Sequence, residues 1–212
     1  MEPLSPLGVP KSKTDAALLI VAAANRLMRA DNNAFSATEL ASAAGVSRRT
    51  VFNHFASLDD VKVAVALEHV REFTASFLQS RGESDPTPYA SYSEAITDLE
   101  ALLRSSKLQN LLVTLAQMLD WREGSDRQSN AMFADSVRLL VQEAVHQKFQ
   151  VVSPSKRLEV IFFAATLHVY LAESALLWLA NFRDSPEADA HWQELISVAI
   201  DLLRGAFARK SF

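Results

Sequence analysis

Apolar residues recur at three- and four-residue intervals in one segment of this chain after another, and strand-type alternation of apolar with polar residues is convincing nowhere. Leu108, Leu111, Leu112, Leu115 and Leu119 keep that spacing, and so do Met132, Phe133, Val137, Leu140, Val141, Val145 and Phe149. Such a stripe faces a core only if the backbone turns once every 3.6 residues or so, so the spacing predicts an all-α protein of about nine helices. Turn-forming composition separates the stripes: "ADNNAF" at 30–35, "SRGESDPTP" at 80–88, and prolines at 154 and 186 that open the last two helices.

The 212 residues, 49% of them apolar, suffice for a substantial core. There is no cysteine, which excludes disulfides and thiolate metal sites and suits a reducing, cytoplasmic location. The most apolar segment, residues 160–180, is interrupted by His168, Glu173 and Ser174 and reads as a buried helix, so no membrane partner is expected. Residues 1–13, Pro-rich and without a signal-peptide pattern, read as a disordered arm. Net charge is −4, unevenly spread. Residues 1–58 hold six Lys and Arg against four Asp and Glu, about +2, which leaves about −6 for the rest. That asymmetry suits a head that meets phosphate on a body that does not.

The stretch "SATELASAAGVSRRTVFNHF" at 36–55 carries the most specific pattern. Ser36 and Glu39 form a capping box that opens a short helix, and Gly45 ends it. Ser47 then caps a second short helix over Arg48–Ala56, so two helices of about eight residues meet at a tight glycine turn, a helix-turn-helix pattern. On a helical wheel Val51 and Phe55 face inward with Phe52 at their edge. Arg49, Thr50, Asn53 and His54 face outward and Arg48 lies on the flank. Arginine can grip guanine, and asparagine adenine, with two hydrogen bonds each in the major groove.

These residues resemble the DNA-binding segment of the TetR family of bacterial transcriptional regulators. The resemblance rests on Leu40-Ala41, on Ala44-Gly45-Val46-Ser47 and on the Val51-Phe52-Asn53-His54-Phe55 ending, within about 45 residues from Leu19 to Ala64. It implies a dimer that binds a palindromic operator in double-stranded DNA and, most simply, represses until a small-molecule effector releases it. It assigns Arg48, Arg49, Thr50 and Asn53 to bases or their adjoining phosphates and Phe52 and His54 to the backbone; the caps Ser36 and Ser47 are DNA candidates beside them, and Lys11 and Lys13 of the arm can reach the backbone or minor groove. Three positions depart from the family pattern: Phe52 where tyrosine is common, Leu58 where lysine is usual, and Asp31-Asn32 in place of a Gly-aromatic turn. Phe52 lacks the hydroxyl, and Leu58 the charge, that would reach a phosphate.

Residues 14–58 are accordingly expected to form the DNA-binding head and 59–212 a ligand-binding and dimerisation body. The resemblance implies a homodimer through the last two helices, by way of Ala165, Ala172, Trp192, Ile196, Ile200 and Leu203. Polar or aromatic residues that punctuate the apolar stripes are the effector candidates: Gln117, Met118, Trp121, Phe133, His168, Tyr170 and Trp178. Their surroundings point to a hydrophobic or aromatic small molecule. No catalytic residue, metal site or cofactor is expected. The chain lacks a cysteine nucleophile, G-x-S-x-G, a P-loop, H-E-x-x-H and a dinucleotide fingerprint. A helical small-molecule-binding or protein-interaction domain whose helix-turn-helix does not read DNA is the alternative.

Overall fold

The computed structural model describes residues 13–30, 34–84, 88–119, 127–149 and 153–207. Nine α-helices make up the described residues: α1 (Lys13–Ala30), α2 (Ala37–Ala44), α3 (Arg48–His54), α4 (Leu58–Ser84), α5 (Tyr92–Leu103), α6 (Ser106–Met118), α7 (Arg127–Lys148), α8 (Pro154–Asn181) and α9 (Ala188–Phe207). The helix count matches the apolar spacing. α4 runs through Gly82 to Ser84, into the stretch whose composition predicts a break at 80–88.

The chain divides into two compact units, residues 1–69 with 117–133, and residues 70–116 with 134–212. The first therefore takes in the opening three turns of α4, beyond the boundary expected at 58.

In the first unit α1 packs on α2 and α3. Its Ala-rich sequence favours helix and lets neighbours approach closely. Ile20, Ala23, Ala24 and Met28 bury against Leu40, Ala41 and Ala44 of α2, Val51 of α3, and Val61 and Val65 of α4. Burying a side chain of the size of Ile20 or Leu40 contributes roughly 1.5–3 kcal/mol each. Two polar ties hold the frame: Arg26 Nη2 donates to Ala43 O at 3.2 Å, and His69 Nε2 lies 3.3 Å from Asn25 Oδ1.

The second unit has its own core, in which α8 packs on α9 and α9 on α5. Tyr92, Phe163 and Phe207 gather with Phe149 and Tyr89, neighbouring ring centroids lying 5.1–5.9 Å apart. Burial first, then the charge and hydrogen bonding of Glu159, push the Tyr92 phenol up to about 12, so it stays protonated. Trp192 Nε1 donates to Leu103 O at 2.8 Å and Trp178 Nε1 to Ala188 O at 2.7 Å, which satisfies both buried indoles. Arg104, which caps the C-terminus of α5, binds Glu100 of that helix and Gln193 and Ser197 of α9, and Arg204 returns from α9 to Glu100. Burial alone would raise the Glu100 carboxyl. The two guanidinium groups outweigh that and hold it below its ordinary range.

This packing corrects the expected dimer seam. Trp192, Ile196 and Leu203 are 0% exposed and Ile200 is 1% exposed, all four in the unit's own core. A side chain already removed from water by its own chain offers no surface to a partner. Among described residues α8 is the one helix long and apolar enough to cross a membrane. Val160, Phe163, Ala164, Leu167, Ala175 and Trp178 on one side of it lie in this core.

Candidate nucleic-acid interface

The interface is built from the caps outward. Ser36 Oγ accepts the amide of Glu39 at 3.2 Å while Glu39 Oε2 accepts the Ser36 amide at 2.7 Å, the reciprocal pair that the sequence predicts. The Ser36 amide first, then the Ser36 side chain, hold the Glu39 carboxyl below its ordinary range. At the other end of α2, Val46 N donates to Ala41 O at 3.0 Å and Gly45 N to Ser42 O at 3.2 Å, the pair of bonds of a Schellman stop. Gly45 sits at φ 68°, the left-handed conformation that closes this motif. A Cβ built on it would meet nothing within 4 Å, so glycine is required by the backbone and not by space.

Ser47 then caps α3. Its Oγ accepts the Thr50 amide at 3.0 Å and lies 2.8 Å from Thr50 Oγ1. Val51 points inward and is fully buried, while Phe55 packs against the head cluster and ends the helix in extended backbone. This single anchored turn fixes which face α3 presents. Arg48, Arg49, Phe52 and Asn53 are exposed on it, and Thr50 and His54 are half-buried at its margins. Phe52 was expected at the edge of the inward face; it is 45% exposed and belongs to neither apolar cluster.

α4 begins immediately after, with a cap that motif reading missed. Ser57 N donates to Asp60 Oδ2 and Asp60 N to Ser57 Oγ, both at 3.0 Å. The Ser-x-x-Asp spacing carries the signal in the sequence. Asp59 pairs with Lys62 at 3.1 Å, and Leu58 packs against the head cluster. The start of α4 is thus occupied by its own carboxylates, which further weakens it as a phosphate contact.

The other expected residues fall in several places. Lys11, Trp121, Asp31 and Asn32 lie outside the described residues, as does the side chain of Lys13. The described effector candidates are divided between the two units. Gln117, Met118 and Phe133 belong to the first unit, where Gln117 is exposed and Met118 is part of the head cluster. Tyr170 packs at the margin of the second unit's core and Trp178 lies inside it, so these rings are packing residues. His168 is half-buried. Burial first, then the Arg138 charge, lower its pKa, while Asp135 works the other way.

No family model and no curated protein matches the chain. Solved structures do. The TetR family repressor AlkX from Dietzia sp. strain DQ12-45-1b, implicated in biodegradation of n-alkanes, superposes with a TM-score of 0.51 at 20% identity, over 93% of this chain and 98% of that one. A TetR transcriptional regulator from Rhodococcus sp. RHA1 gives 0.51 at 17% identity, over 91% and 97%. The coverage takes in nearly the whole of this chain and of each regulator, so the likeness is not of a helix-turn-helix alone. The chain has the fold of the TetR family of transcriptional regulators.

Proposed function

We propose that this protein is a non-enzymatic, cytoplasmic transcriptional regulator that binds an inverted-repeat operator as a homodimer and is released from it, as a repressor would be, by a small apolar or aromatic effector held in the body. One observation carries the DNA reading. α3 is anchored by Val51 and its Ser47 cap so that Arg48, Arg49 and Asn53 project outward together from a short helix of the width a major groove admits.

The dimer rests on an apolar stripe that the chain leaves uncovered. Leu158, Phe162, Val169 and Leu176 of α8 are each about half exposed, and Ala165 and Ala172 fill the positions between them at alternating four- and three-residue steps. That is the seam spacing of paired helices. Val198 and Leu202 of α9 are exposed in the same way. A second copy would cover this surface and set two α3 helices at a spacing fixed by the dimer.

Selection of bound duplexes from a random DNA pool tests the reading. An inverted repeat bound by two protomers is expected. An unenriched pool would instead favour a helical domain that binds a small molecule or a protein and does not read DNA.

A further inference from the structure

The exposed face of α3 carries one side chain that neither the fold nor hydrogen-bonded base reading uses. Phe52 is 45% exposed and contributes to no apolar cluster. Its position is nevertheless set by the anchored helix. Taking Val51 as the inward direction, Arg49 and Asn53 straddle the outward one, and Phe52 lies about 60° round the helix from Arg49. The phenyl ring therefore stands between Arg49, one of the two most outward polar groups, and Arg48.

A ring in that setting has few useful partners. It has no hydroxyl, so it cannot donate to a phosphate oxygen, and it cannot read the donors and acceptors of base edges. A protein surface complementary to this ring would have to desolvate both flanking guanidinium groups, whereas DNA neutralises them. The major groove displays one apolar feature, the C5-methyl group of thymine.

We infer that Phe52 is a specificity residue that packs on a thymine methyl in each half-site, next to the base edges that Arg49 and Asn53 reach; this rests on the DNA reading proposed above. The contact is apolar and so selects thymine without adding to the salt-dependent phosphate binding. It makes the tyrosine-to-phenylalanine departure an exchange of a phosphate contact for a base preference.

The test uses full-length protein and duplexes recovered by the wild type from the random pool. Each thymine is replaced in turn by deoxyuridine, which removes the methyl and leaves the pairing edge intact. One thymine per half-site is expected to weaken wild-type binding about three- to five-fold, the worth of one buried methyl. Phe52→Ala should be insensitive to the same replacement, and Phe52→Leu intermediate. Phe52 lies outside the core, so both variants should unfold at the wild-type midpoint. If every replacement is neutral, or costs Phe52→Ala as much as wild type, the inference is overturned while base reading by Arg49 and Asn53 stands. If wild type prefers no duplex at all, both fall together.

Discussion

Ser47 Oγ accepts the Thr50 amide and lies 2.8 Å from the Thr50 hydroxyl, so Thr50 is tied to the cap of its own helix. It is therefore a weaker base reader than its outward place in the sequence implies. Ser47→Ala should cost the protein about 1 kcal/mol, the usual loss for an N-cap, as read by denaturant unfolding. Thr50→Val should leave base preferences unchanged where Asn53→Ala alters them, a contrast that duplex selection with both variants would show.

Gly45 separates conformational from steric need. With φ at 68° and open space where a Cβ would stand, Gly45→Ala meets only backbone strain, about 1 kcal/mol. Gly45→Asn should recover most of that loss, because asparagine tolerates the left-handed region. Unfolding midpoints of the two variants beside wild type measure the difference. Equal losses would place the requirement elsewhere.

Glu100 makes the second unit sensitive to acid. Its carboxyl is held below its unfolded value near 4.5 by Arg104 and Arg204, against the opposing effect of burial. The stabilisation is complete above that value and disappears as pH falls through the lowered, folded one. Glu100→Gln should cost about 1–2 kcal/mol at neutral pH, a range that allows for partial exposure. Its difference from wild type should shrink below pH 4.5. A difference constant with pH would mean that the carboxylate charge contributes nothing.

Exposed and buried faces of the last two helices should respond differently. Phe162→Asp combined with Leu176→Asp should leave helical content intact and convert the protein to monomer in sedimentation equilibrium. Trp192→Ala should instead destabilise the protomer by about 3–5 kcal/mol, since it empties a fully buried site and strands Leu103 O. A dimer that survives both aspartates would contradict the proposed seam.

These contrasts also mark where sequence pattern stops being informative. The capping box at Ser36 and Glu39, the turn at Gly45 and the inward Val51 are local devices, each specified by neighbours within four residues, and the structure forms all three. α8 is different, because both its faces are apolar. Val160, Phe163, Leu167 and Trp178 differ from Phe162, Val169 and Leu176 in burial but not in hydrophobicity, so periodicity cannot say which set meets the core. On α9 the one conspicuous stripe suits a partner as well as a core in sequence, and α5 and α8 cover it. Polar or aromatic interruptions of an apolar stripe are equally ambiguous in sequence. For Trp178 the interruption is a packed indole with a backbone acceptor, a solution that only tertiary structure discloses.

The most direct measurement compares the base preferences of wild type and Arg49→Ala at every position of the duplexes each selects. An inverted repeat is expected for wild type and, for the variant, lost preference at one position in each half-site with the others retained. Identical preferences in the two proteins, or none in either, would contradict the claim that α3 reads DNA.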